Sequence, residues 1–66
     1  MSILSQRLLA LRKSKGLSQA ALAKELKVAL RAYQNYEYGE VEPKLSTLVK
    51  IADFYGVSLD YLAGRE

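Results

Sequence analysis

The sequence predicts an all-α fold: a compact domain of five short helices. Three observations predict it. Glycine at 16, 39, 56 and 64 and the single proline at 43 cut the chain into pieces of helix length. Those pieces are rich in Leu, Ala, Lys, Arg and Glu, which lose little on entering a helix. No stretch alternates apolar and polar residues as a half-buried strand does. With no internal repeat, linker or low-complexity tract, residues 1–66 read as a single domain.

The first helical block runs from about residue 2 to 15. Leu4, Leu8 and Leu11 recur at helical spacing, and Gly16 suits the left-handed residue that ends many helices. The second block is LSQAALAKEL. Ser18 is its N-cap, since a serine hydroxyl can accept from an exposed N–H of the first turn. Leu22 and Leu26 point inward with the small Ala23 between them.

The third block, LRAYQNYEY, sets Tyr33 and Tyr36 three apart, so both face the core, with their hydroxyls reaching the surface. Arg31, Gln34, Asn35 and Tyr38 fall largely off that line, and Gly39 ends the block. The fourth follows Pro43. Leu45, Leu48, Ala52 and Tyr55 form an apolar stripe widened by Val49, Ile51 and Phe54, and Gly56 closes it. The fifth block, SLDYLAG, is capped by Ser58 and carries Asp60 in the first turn, where the helix dipole favours a negative charge. Leu59 and Leu62 face inward and Tyr61 outward. Helices this short are marginal alone, so packing must hold them.

Composition narrows the function. Cysteine and histidine are absent. That removes disulfides, cysteine–histidine zinc sites, histidine-based triads and pH switching near neutrality. Carboxylate-only metal sites stay open by inventory, but no metal or other cofactor is expected. No nucleophile–base pair or phosphate-cradling glycine loop occurs, so the expectation is a protein that is not an enzyme and has no catalytic residues. No small-molecule ligand is evident either. There is no signal peptide and no run of about 20 apolar residues, which leaves a cytoplasmic protein without membrane contact. Net charge is +3, and residues 1–16 carry Arg7, Arg12, Lys13 and Lys15 with no acid. Such a distribution is either a solvated face or a surface that attracts a polyanion.

A short capped helix, a tight turn and a second short helix make a helix-turn-helix pattern. In that pattern the second helix can enter a DNA major groove while the first crosses the phosphate backbone. The segments LRKSKGLSQAALAKEL and YQNYEYGEVEPKLSTLVKIADFYGVSLDYLAG add detail to it. Over nearly its full length the chain resembles the phage repressor and Cro-like (xenobiotic-response-element type) helix-turn-helix family. Arg12, Leu17, Ser18, Gln19, Glu37, Gly39, Pro43, Leu45, Thr47, Leu48, Gly56, Val57, Ser58, Asp60 and Leu62 fit the family's pattern.

The resemblance implies a sequence-specific regulator of transcription, a repressor, that binds double-stranded DNA. Its recognition helix, about residues 29–38, would lie in the major groove. A homodimer would read a palindromic operator with half-sites about one helical turn apart. The chain would be either a minimal Cro-like regulator or the DNA-binding part of a longer protein. Ser18 would cap the second helix beside the backbone, and Gln19 would meet a phosphate or the edge of the first base pair. Leu30, Arg31 and Asn35 match groove-facing positions, with Ala29 and Gln34 beside them. Tyr38 and Lys44 would reach phosphate. Arg12 and Glu37 would form an internal ion pair between the first and third helices.

The residue types suit those roles. Arg31 can pair with guanine O6 and N7, Asn35 or Gln34 with adenine N6 and N7, and Leu30 can touch a thymine methyl. Each good bidentate pair is worth about 1–3 kcal/mol of discrimination.

Three departures from the family pattern cluster near this helix. Lys27 stands where glycine is common, Ala29 where a Ser or Thr cap is common, and Leu30 where a polar residue is frequent. Because KVAL favours helix, one expectation is that the second and third helices join less sharply, or even continuously. Glu40 and Glu42 replace basic residues near the backbone. The competing function is a protein-interaction module of the same fold, antitoxin-like or partner-binding, using an apolar patch of Val41, Leu59, Tyr61 and Leu62.

Overall fold

A computed structural model describes residues 2–66. It contains five helices: α1 (Ile3–Ser14), α2 (Gln19–Leu26), α3 (Leu30–Tyr38), α4 (Leu45–Tyr55) and α5 (Leu59–Ala63). No strand occurs among the described residues. None of their helices is long and apolar enough to cross a membrane.

Local chemistry fixes most of the ends. Ser2, Ser18 and Ser58 sit in extended backbone before α1, α2 and α5. Their hydroxyl oxygens accept from the N–H groups of Ser5, Ala21 and Tyr61 at 3.1, 3.0 and 2.9 Å. The left-handed glycines at 39, 56 and 64 stop α3, α4 and α5.

The core is one cluster. Leu8 of α1, Leu22, Ala23 and Leu26 of α2, Tyr33 of α3, Ile51 and Ala52 of α4, and Leu62 of α5 are buried together. α1 packs on α3 and α5, while α2 packs on α3 and α4. This arrangement holds α2 and α3 side by side on one edge of the domain, joined by the turn at residues 27–29.

Several expectations need correction. α2 and α3 are not continuous. Lys27 takes the left-handed conformation (φ 58°, ψ 42°), and the Val28 N–H turns back to the Ala23 carbonyl at 3.0 Å. Val28 then packs against the core. That anchor outweighs the helix preference of KVAL.

In α4 the inward face is Thr47, Leu48, Ile51, Ala52 and Tyr55, while Leu45 is 67% exposed and Val49 40%. At about 100° per residue, both leucine and valine lie a quarter turn or more from the Ile51–Tyr55 line. In α5 Leu62 is buried in the core with Tyr61 packed against it, and Leu59 stays exposed.

Tyr61 is half-buried rather than outward-facing. The Arg7 guanidinium lies 4.1 Å over its ring and donates to the Tyr61 carbonyl at 2.8 Å. The proposed patch of Val41, Leu59, Tyr61 and Leu62 is therefore not one exposed surface.

Candidate nucleic-acid interface

α3 has two sharply different sides. Tyr33 and Glu37, four apart, are buried, and Ala32 and Tyr36 are half-buried. Arg31 and Tyr38 are exposed, with Asn35 half-buried. At about 100° per residue these three share the side opposite Tyr33 and Glu37. Leu30, 42% exposed, opens the helix, and Gln34, half-buried, flanks it on the side of α2.

The helix begins without side-chain help. Ala29 holds extended N-cap backbone (φ −66°, ψ 144°) but has no hydroxyl to accept an N–H. Lys44 likewise precedes α4 in extended backbone, with its side chain exposed and making no cap bond. Ser18 is exposed and occupied in capping α2.

Beneath α3 lies a polar cluster centred on Glu37, which is only 3% exposed. Arg12 donates from Nε to Glu37 Oε2 at 2.6 Å and from Nη2 to Oε1 at 3.0 Å. The Gln19 amide nitrogen donates to Oε1 at 3.1 Å, and the Tyr33 hydroxyl to Oε2 at 2.5 Å. The roughly four acceptor sites of a carboxylate are thereby filled.

Arg12 also donates from Nη1 to the Leu17 carbonyl at 2.9 Å, so one guanidinium joins α1, the residue leading into α2, and α3. Outside the carboxylate, the Gln34 amide nitrogen donates to the Gln19 oxygen at 3.3 Å.

The electrostatics follow from this geometry. Burial pushes the Glu37 carboxyl up, but the hydrogen bonds from Arg12, Tyr33 and Gln19 outweigh it and leave the pKa below the usual carboxylate value. Hydrogen bonding to Glu37 raises the Arg12 pKa against the opposing effect of burial. Tyr33, buried and donating to a carboxylate, is held well above the ordinary phenol value. Tyr55, half-buried below the same cluster, is pushed up to about 12 by burial and then by the Glu37 charge. Glu37 is therefore an anion whose charge is fully compensated inside the fold.

Two features of this cluster escape a reading of the sequence. The Tyr33 hydroxyl does not reach the surface; the side chain has no solvent exposure and its oxygen meets Glu37. The spacing of Tyr33 and Glu37 on one helix face could have signalled that pair. The amide contact between Gln19 and Gln34 has no such signal, since it depends on how α2 and α3 cross.

Among the described residues no group of three or more acidic side chains could hold a metal ion. The exposed Glu40 and Glu42 follow α3 in the loop to α4.

Comparison with known proteins gives this geometry a family. A family model described as helix-turn-helix matches residues 8–62. The chain is 42% identical over 62 residues to the cryptic phage CTXphi transcriptional repressor RstR of Vibrio cholerae, which covers 94% of this chain and 55% of that protein. It is 44% identical over 57 residues to the SPbeta prophage-derived HTH-type transcriptional regulator YonR of Bacillus subtilis, covering 86% of this chain and 53% of that one. The crystal structure of a transcriptional regulator from Listeria innocua superposes with a TM-score of 0.87 at 31% identity, over 92% of this chain and 57% of the other. The chain thus spans about half the length of the curated relatives it matches. With its helical order, its turn at Lys27 and these matches, the chain belongs to the helix-turn-helix family.

Proposed function

We propose that residues 1–66 form a single DNA-binding domain of a transcriptional repressor, reading double-stranded DNA in the major groove with α3. The observation that carries this reading is the division of α3. A side bearing Arg31, Asn35 and Tyr38 is open, while the opposite side is fixed to the core through Tyr33 and Glu37. A helix built this way presents side chains rather than backbone to a groove wide enough to admit it.

Arg31 and Asn35 read base edges in this account, with Leu30 and Gln34 at the margin and Ala29 close to the backbone. Ser18, Tyr38 and Lys44 meet the backbone side, while the Gln19 amide stays tied to Glu37 and Gln34. Arg12 and Glu37 act from inside, as support. The protein works by binding, not by catalysis, in the cytoplasm where its DNA lies.

We further place a homodimer on the groove between α1, α4 and α5. Leu4, Leu45, Leu48 and Leu59 line that groove, and Leu45 and Leu59 are exposed in the single chain. A two-fold pair reads a palindrome with half-sites about one helical turn, or roughly 10 base pairs, apart.

Selection from random duplex DNA tests the reading. The expected result is an enriched palindrome at that spacing, bound with an affinity that falls steeply with salt. Arg31→Ala should cost about 1–3 kcal/mol of discrimination at one base pair and less in non-specific binding. No enrichment, or an unchanged site preference in Arg31→Ala, would contradict it.

A further inference from the structure

We propose that Gln19 is a positioning residue: Glu37, acting through Gln19, turns the Gln34 amide so that its oxygen faces the DNA and selects a base that presents an exocyclic amine in the major groove. This rests on α3 being the reading helix. An ionised carboxylate only accepts hydrogen bonds. Gln19, whose amide touches Glu37 Oε1 at 3.1 Å, must therefore turn its nitrogen towards it. A planar amide with its nitrogen fixed has its oxygen fixed on the other side. That oxygen faces Gln34, which must offer its own nitrogen, at 3.3 Å.

The consequence is a chain of one polarity, running from Gln34 to Gln19 to Glu37. Flipping the Gln19 amide would set oxygen against carboxylate oxygen. Flipping Gln34 alone would set oxygen against oxygen. Either loses a hydrogen bond and adds repulsion. The Gln34 oxygen has no partner among the described residues, and the one buried side-chain atom lacking a partner there is the Tyr55 hydroxyl, so the Gln34 oxygen lies open to solvent.

Gln34 keeps a second N–H. Its outward atoms are thus an acceptor with one donor beside it. In the major groove adenine offers N6–H and N7, which match both; cytosine offers only its amine. Guanine O6 and thymine O4 would face the Gln34 oxygen with another acceptor. A free glutamine can flip to suit either kind of base, whereas this one is set in advance. Gln19 thereby contributes to specificity while touching no base.

Gln19→Leu keeps the volume and removes the relay. The position read by Gln34 is first identified as the base pair whose selectivity disappears in Gln34→Ala. At that position, Gln19→Leu is expected to reduce the preference for adenine over guanine by about tenfold, the worth of one good pair. Preference at the Arg31 position and non-specific affinity should stay as in the natural chain. A purely structural role, or a phosphate contact by Gln19, would instead weaken binding to all sequences alike. Gln19→Leu in a Gln34→Ala background should produce no further loss of selectivity. Unchanged selectivity in Gln19→Leu, with specific binding retained, overturns this inference and leaves the functional reading standing. A natural chain that bound no duplex at all would overturn both.

Discussion

The starts of α2 and α3 are the two halves of one motif, yet they are built to different standards. The start of α2 is held three ways. Ser18 caps it, Arg12 takes the Leu17 carbonyl, and Gln19 is fixed to Glu37. The start of α3 follows a lysine in left-handed backbone and opens on an alanine that caps nothing.

A left-handed non-glycine residue costs about 1–2 kcal/mol, and a missing cap about 1 kcal/mol. The turn nonetheless keeps its shape, because Val28 and Tyr33 on either side of Ala29 are pinned to the core. Where α2 is specified by its own residues, α3 is specified by what lies under it.

The largest expected effect breaks the well-built half. Glu37→Ala leaves Arg12, 14% exposed, without its partner and the Tyr33 hydroxyl without an acceptor. The cost should be about 3–5 kcal/mol, which is comparable to the whole stability of a domain this small. Circular dichroism at 25 °C should then show most of the helix signal lost; a fully folded variant would mean that Glu37 supports neither helix.

Acid probes the same group. The folded-state pKa of Glu37 lies below its ordinary 4.5, so its contribution is complete above that value. It is lost as pH falls through the lowered pKa. Urea midpoints should therefore hold from neutral pH to about 5 and decline below it.

The caps should respond in opposite directions. Ser18→Ala should lose about 1 kcal/mol and Ala29→Ser gain a similar amount, read as urea midpoints. Equal and small effects would mean that neither cap matters. Smallest is Lys27→Gly. Relief of the left-handed strain is partly offset by the entropy of a freer unfolded chain, leaving a gain of about 0.5–1 kcal/mol. A loss would show that the Lys27 side chain holds the turn in some other way.

Much of the fold could be read from residues because helix ends are local. Ser18 and Ser58 before apolar blocks, and Gly39 and Gly56 after them, need no knowledge of the rest of the chain. Which face of α4 is buried was harder. Apolar residues run round most of it, so periodicity leaves the stripe undetermined, and contact with α2 and α5 decides that Ile51 goes in and Leu45 out. Tyr61 gave no warning, since the residue covering it, Arg7, is 54 positions away.

The candidate site divides the same way. The open side of α3 follows from helical geometry and the placing of Tyr33. Contact between Arg12 and Glu37 could come only from the family resemblance, because no spacing rule joins two helices 25 positions apart. The turn of the Gln34 amide depends on how α2 and α3 cross, which no local pattern encodes.

The central claim is that α3 is the reading helix, supported from below by Glu37. Titration of the isotopically labelled chain with its selected duplex, followed by amide chemical shifts, tests it most directly. The largest changes should fall at residues 18–19, 29–35, 38 and 44. Changes confined to the α1–α4–α5 groove, around Leu4, Leu48 and Leu59, with α3 unmoved, would contradict the account.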